Sequence, residues 1–297
     1  MDPLERLRRI VERHAVAGET ATAVPGVRLS RVDSRTLPTG KTFEPSVALI
    51  VQGGMRTVLG SRTLEYGAGQ YAVTSVELPV TCAVTDATPN RPYLALTMRL
   101  DATVAAEVLL GATAGSRGIV TGRAAEGIEV NTADQDLLDA FARMGRLVEQ
   151  PHHVPVLAPL YEREIVWRLI CAEEGAAVRM LGQADSQLSQ VSRAIGWLRN
   201  HYTESLRISE LAGLASMGST TFHRHFRALT RMTPLQYQKQ LRLHEARARL
   251  MAGADDVAGI GHAVGYGSPS QFSREYRRLF GTSPGRDITH RRDTRWT

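Results

Sequence analysis

Two short stretches carry side chains suited to reading a nucleic acid. The first holds Thr220, His223, Arg224 and Arg227; the second holds Ser270, Gln271, Ser273, Arg274 and Arg277. A spacing of i, i+3, i+4, i+7 puts such groups on one face of an α-helix. Their chemistry is non-covalent. Arginine donates two parallel hydrogen bonds to guanine, glutamine does the same for adenine, and hydroxyls serve either partner. Arg224 and Arg274 are the expected base readers, while Arg227, Arg277, Arg278 and Lys239 are expected to hold phosphates.

The elements that must present these groups are legible as a repeat. At an offset of 50 residues Phe222 matches Phe272, Arg224 matches Arg274, Phe226 matches Tyr276, Leu229 matches Leu279 and Pro234 matches Pro284. Upstream the offset is 49, so Ile208 and Leu211 match Val257 and Ile260, and the two intervening turns differ by one residue. Each copy is a short apolar helix, a turn with Gly218 or Gly265, and a second helix with an apolar face opposite the basic one. That is a helix-turn-helix. In the second copy Ser268 is placed as N-cap and Pro269 at the first helical position. Between the copies, residues 234–252 predict one helix of about 18 residues, begun by Pro234 and stopped by Gly253, ~27 Å long at ~1.5 Å per residue. Its middle, near His244, is expected to face solvent. His223 and His225, two residues apart on a helix, do not converge on a metal.

These motifs resemble the C-terminal domain of the AraC family of bacterial transcription regulators. The resemblance rests on A-x-x-A-x-M, F-H-R-H-F-R-A-L-T and M-T-P-L-Q-Y in the first copy, and on G-Y-x-S-x-S-x-F-S-R-x-Y-R-R-x-F-G-x-S-P in the second. It covers about residues 188–288. It implies base reading by Thr220, His223 and Arg224 and by Ser270, Gln271, Ser273 and Arg274, and it implies RNA polymerase as a partner. Family members often carry Ser where this chain has Gly218.

Charge agrees with a polyanion partner. Residues 187–297 contain 17 Lys and Arg against 8 Asp and Glu, a net +9, within a chain of 297 residues whose net charge is +6. The remainder is therefore −3. Only two cysteines, Cys82 and Cys171, exclude a disulfide framework and suggest a reducing compartment. The opening MDPLERLRRIVERH reads as an amphipathic helix and not as a secretory signal, and no run of 18 apolar residues occurs. A cytoplasmic protein is expected, with no membrane partner.

Residues 25–100 change to period two. Seven short β-branched runs (27–32, 46–51, 54–60, 62–67, 69–75, 79–85 and 93–100) predict a small antiparallel barrel or sandwich. S-V-A-L-I-V-Q-G, L-E-Y-G-A-G-Q-Y-A-V-T-S-V-E-L-P-V and R-P-Y-L-A-L resemble the cupin-like sensor domain of one AraC subgroup, over roughly 20–180. A small-molecule effector is what that resemblance implies. A cupin metal site needs converging histidines, and residues 15–151 contain none; His152 and His153 read as surface residues. No metal, cofactor or catalytic residue is expected. Cys82 reads as a packed thiol in a strand.

From Asp101 the helical period returns, with a Gly-rich loop expected at 111–127 and helices at about 132–150 and 155–181. These helices could pack on the barrel or on a second copy in a homodimer. The polar run 182–190 marks the boundary between an effector or dimerisation domain (1–185) and an all-α DNA-binding domain (187–297, with helix-turn-helix motifs at about 206–232 and 256–281). The expected fold is thus multi-domain α+β, and the expected function is a sequence-specific transcription regulator, read as an activator, and not an enzyme. The alternative is the same DNA-binding domain fused to an enzymatic or alkyl-acceptor domain, which would need a cysteine cluster that Cys82 by itself does not supply.

The clustered charge yields a first prediction. DNA affinity should fall steeply with salt, with a log–log slope of roughly −0.9 for each phosphate neutralised. Titration of DNA between low and moderate salt checks it; binding indifferent to salt would remove the basic half from the interface.

Overall fold

The computed structural model describes residues 2–112, 126–183, 186–253 and 256–288. Helix α1 (Pro3–His14) precedes strands β1 (Gly18–Ala21), β2 (Val27–Val32), β3 (Thr39–Phe43), β4 (Ser46–Gln52), β5 (Gly54–Leu59), β6 (Arg62–Gly67), β7 (Gln70–Thr74), β8 (Leu78–Asp86) and β9 (Tyr93–Arg99). Helix α2 (Ala102–Ala112), strand β10 (Ile128–Thr132) and helices α3 (Gln135–Arg146), α4 (Val154–Cys171) and α5 (Ala176–Leu181) complete this half.

All seven expected strands are present, and β1, β3 and β10 are additional. TGKTF in β3 has no apolar alternation because it lies at a sheet edge and is mostly exposed. The expected barrel is open. The strands form two antiparallel sheets, ordered β1-β2-β9-β4-β7-β10 and β3-β8-β5-β6. Part of the expected 111–127 loop, residues 113–125, lies outside the described residues. The helix expected over 155–181 is two helices, because Ala172 turns to extended backbone and Gly175 packs where a Cβ would lie 2.3 Å from the Leu169 carbonyl.

Alternation in the six-stranded sheet separates two environments. Leu29, Val47, Leu49, Tyr71, Val73, Leu94, Leu96 and Met98 face a core shared with α1 to α5. Ser30, Ala48, Ala72, Thr74 and Thr97 face the other way, towards the four-stranded sheet. Side chains this small do not fill the gap, and a cavity of about 360 Å³ remains between the sheets.

The C-terminal half contains α6 (Gln187–Asn200), α7 (Ile208–Leu214), α8 (Ser219–Thr230), α9 (Pro234–Ala252), α10 (Val257–Ala263) and α11 (Pro269–Phe280). The connecting helix starts and stops where expected, and Thr233 and Gln236 form a reciprocal capping box at its start. Gly218 at the N-cap of α8 gives no side-chain bond, whereas the Ser268 hydroxyl accepts from the Gln271 amide at the start of α11.

The two helix-turn-helix units are anchored differently. Phe222, Phe226, Leu229 and Tyr237 of the first belong to one continuous core with Leu64, Leu78, Val80 and Ile128 of the β domain. Polar contacts also line this seam: the Gly127 amide donates to the Leu229 carbonyl at 3.0 Å, the Tyr237 hydroxyl donates to the Glu77 carbonyl at 2.7 Å, and Arg199 pairs with Glu77 at 2.9 Å. Approach is close enough to demand glycine. A Cβ on Gly127 would lie 2.3 Å from the Leu229 carbonyl, and one on Gly60, at the β5–β6 turn with φ +58°, would lie 2.6 Å from the Arg231 carbonyl. The second unit has a separate core of Leu243, Ala246, Leu250, Ile260, Val264, Phe272 and Tyr276.

His244 does not face solvent as expected. It is 8% exposed, its ring stands where a Cβ on Gly40 of β3 would be 2.6 Å away, and neither ring nitrogen has a hydrogen-bond partner. The cause is tertiary: the β domain docks on the polar side of α9. Burial, with Arg247 nearby, holds the His244 pKa down to about 4. In the unfolded chain the ring protonates near its ordinary value of 6.5, so the folded state is penalised as pH falls from about 6.5 to about 4, by up to about 3 kcal/mol. Stability should be fully present above pH 6.5, and urea unfolding across that window should show a steeper acid loss in wild type than in His244→Leu. Parallel curves for the two proteins would refute the assignment.

Candidate DNA interface

In α8, Thr220, His223, Arg224 and Arg227 are exposed, while Phe222, Phe226 and Leu229 are buried on the opposite side. In α11, Ser270, Arg274 and Arg277 are exposed, Gln271 and Ser273 are half-buried, and Phe272 and Tyr276 are buried. The side chains of Arg224, Arg227, Arg274 and Arg277 meet no carboxylate within ion-pair distance among the described residues. Exposed guanidinium groups at equivalent positions of two helices are what phosphate and guanine contacts require. His225 is half-buried, and burial followed by the neighbouring Arg224 lowers its pKa, consistent with packing instead of reading.

Two expected contact residues have partners within the protein. Lys239 is half-buried and its Nζ donates to Glu275 Oε1 at 2.7 Å; the Gln271 amide donates to the same oxygen at 3.1 Å. The Tyr266 hydroxyl donates to Glu275 Oε2 at 2.9 Å. Glu275 therefore ties α9, the turn and α11 together, and Lys239 braces the second unit. Arg242 adds a latch, donating to the carbonyls of Tyr202, Glu204 and Gly265. Neither role was visible in the sequence, because an ion pair 36 residues apart leaves no local pattern.

Between the two units runs an open groove of about 660 Å³. Arg227, Arg231, Lys239 and Arg278 line it, and the β5–β6 turn at Gly60 and Ser61 forms one edge. Arg231, in the left-handed conformation at the end of α8, pairs with Glu126 of the β domain. The groove thus joins the C-terminal ends of α8 and α11 by a cationic strip.

The β-domain cavity has a different chemistry. Tyr66, Tyr93, Met55, Cys82 and Val84 line its interior, and Glu19, Arg28, Lys41, Glu44 and Arg99 line it in addition. Glu19 accepts from Lys41 at 2.9 Å, and its pKa is lowered by that bond. The Tyr66 hydroxyl is 3.0 Å from Thr57 Oγ1, but the buried Tyr93 hydroxyl reaches only the Met55 sulfur, at 4.0 Å. Burial pushes the Cys82 thiol up, the opposite of an activated nucleophile. Among the described residues no group of three or more His, Cys, Asp or Glu could hold a metal, and no helix is long and apolar enough to cross a membrane.

Two helix-turn-helix units on one connecting helix, joined to an open two-sheet domain with a polar-rimmed cavity, define a double-headed helix-turn-helix protein with a ligand-sized pocket. The family model described as AraC-type transcriptional regulator N-terminus matches residues 23–177, and one described as a helix-turn-helix domain matches 211–288. The first spans more than half of the chain, and the protein belongs to the AraC-type transcriptional regulators.

Among curated relatives, the transcriptional activator RhaS of Pectobacterium carotovorum subsp. carotovorum (strain PC1) is 37% identical over 99 residues, which cover 33% of this chain and 36% of that protein. RhaS of Enterobacter sp. (strain 638) is 29% identical over 162 residues, covering 54% of this chain and 57% of that one. The chain thus spans between about a third and just over half of the length of these relatives. In fold it is similar to ToxT of Vibrio cholerae O395, with a TM-score of 0.55 at 9% identity over 90% of this chain and 99% of that one.

Alanine at Arg224 or at Arg274 should each cost ~1–3 kcal/mol of specific affinity and relax preference at a single base pair. Footprints and selected binding sites that stay unchanged in either variant would remove that arginine from base reading.

Proposed function

We propose that the protein is a sequence-specific DNA-binding transcription regulator, an activator, that places α8 and α11 in successive major grooves on one side of the duplex. The observation that carries this reading is the pair of equivalent helices, each with an apolar face in a core and an exposed arginine face. Successive major grooves on one side lie ~34 Å apart, and a stiff helix of 19 residues, ~28 Å at ~1.5 Å per residue, spans most of that distance. Thr220, His223, Arg224, Ser270, Gln271, Ser273 and Arg274 are the proposed base-edge contacts, and Arg227, Arg277 and Arg278 the proposed phosphate contacts. RhaS, named as a transcriptional activator, is similar over 99 residues, which supports activation and RNA polymerase as a partner.

The cavity between the sheets is the proposed effector site. Its volume lies at the small end of ligand pockets, and it combines an apolar interior with a few polar groups, as such sites do. No bond is made or broken in this mechanism. Proposed residues 1–185 sense and residues 187–297 read DNA, both as one cytoplasmic chain.

Genome-wide mapping of bound sites tests the reading. Sites with two half-sites about one helical turn apart are expected, near genes whose transcription falls when the protein is deleted. Bound regions with a single half-site, or none enriched, would defeat it.

A further inference from the structure

The β-domain cavity has two chemically unlike ends. Strand β9 runs between them, with buried Tyr93 at one and exposed Arg99 at the other. Every charged side chain that lines the cavity (Glu19, Arg28, Lys41, Glu44 and Arg99) is exposed, so charge is confined to the mouth. There the charges are taken up by one another. Glu19 of β1 accepts from Lys41 of β3 at 2.9 Å and lies 3.7 Å from Arg28, which reaches Glu44 at 3.5 Å. Asp101 and Glu162 both feel the charge of Arg99. An incoming carboxylate or phosphate would meet more negative than positive charge around this mouth.

The inner end is rich in donors and poor in acceptors. The hydroxyl of Tyr93, a residue 4% exposed, reaches only the Met55 sulfur, at 4.0 Å. Burial pushes its pKa well up, and pushes that of the nearby Cys82 thiol up as well, so both keep their protons. Ser30, Thr74 and Thr97 also line the cavity; Thr74 is 3% exposed, and none of the three hydroxyls has a partner among the described residues. The hydroxyls of Tyr66 and Thr57 are already paired with each other at 3.0 Å. A buried hydroxyl left unpaired destabilises the folded chain by its desolvation, and an accepting oxygen within reach offsets that loss. Around these groups Ala48, Met55, Ala72 and Val84 present carbon.

We propose that the cavity takes a small uncharged carbonyl compound with an apolar body, whose oxygen accepts from the Tyr93 hydroxyl at the inner end. A carbonyl oxygen suits that end because it only accepts. Each hydroxyl of a polyol would instead bring a donor, and beside Tyr93 the protein supplies a thioether to receive it. The body of the ligand packs on Ala48, Met55, Ala72 and Val84, where burial of carbon favours binding. Glu19 is the residue that turns acids away. Paired with Lys41 across the gap between edge strands β1 and β3, it occupies the cation that a carboxylate would otherwise find. The inference rests on the effector-site reading given above and names the chemical class that such a site would take.

The test titrates the full chain, by calorimetry, with small ketones, each beside its matched hydrocarbon and its matched carboxylate. Acetophenone, ethylbenzene and benzoate form one such set, and xylose stands for the polyols. Ketones should bind the wild type roughly tenfold more tightly than either counterpart. Tyr93→Phe keeps the ring and removes the donor. It should erase the advantage of ketone over hydrocarbon and leave the affinity for the hydrocarbon as it was. Glu19→Gln leaves Lys41 without its partner and should admit benzoate, a gain that a merely loosened variant does not produce. Wild type that prefers carboxylates or xylose to ketones, or a ketone affinity indifferent to Tyr93→Phe, would overturn the assignment of class. Wild type that binds none of these compounds would instead defeat the effector-site reading on which the inference rests.

Discussion

Burial of the first helix-turn-helix against the β domain is the interaction from which the rest of the structure takes its geometry. Phe222, Phe226 and Tyr237 are fully buried in a core that also contains Leu78, Val80 and Ile128. Fully burying each such aromatic stabilises the folded chain by about 1.5–3 kcal/mol, and the β domain supplies one side of that burial. The exposed arginine face of α8 is thereby fixed relative to the sheets, and α9, which begins at that core with Pro234 and Tyr237, leaves it in a set direction. A C-terminal half cut away at residue 186 would expose part of this apolar surface.

The connecting helix then serves two neighbours at once. Leu243, Ala246 and Leu250 belong to the core of the second unit, while His244 and Arg247 touch Gly40 and Pro38 of the β domain. A helix that must pack on both sides has no freely solvated face over that turn. This explains why a histidine with no hydrogen-bond partner is tolerated there: kept neutral by burial, it acts as a flat apolar ring.

The cavity itself is a consequence of residue size. Two sheets facing one another usually interdigitate large side chains. Here Ser30, Ala48, Ala72, Thr74 and Thr97 leave the inner face of one sheet too shallow, and Tyr66 and Tyr93 do not close the space. The Tyr93 hydroxyl, with only a thioether 4.0 Å away, is a buried donor for which the protein supplies no strong acceptor. A ligand with an acceptor at its buried end would complete it.

The sequence by itself determined whatever depends on local period and on repetition. The two helix-turn-helix units, the span of α9, seven of the strands and the exposed arginines of α8 and α11 follow from spacings of two or of three and four residues, which burial of one face imposes on any chain. Composition placed the basic half with α8 and α11 for the same reason: charge is carried by the residues themselves. What only tertiary structure decided is every contact between groups distant in sequence. β3 was illegible because an edge strand buries little and so shows no alternation. The Lys239 pairing leaves no local trace because its partner Glu275 lies 36 residues away, and the burial of His244 leaves none because the surface that covers it belongs to another domain. Periodicity reports which face of an element is buried by its nearest core; it carries no record of a second surface that arrives from elsewhere in the chain.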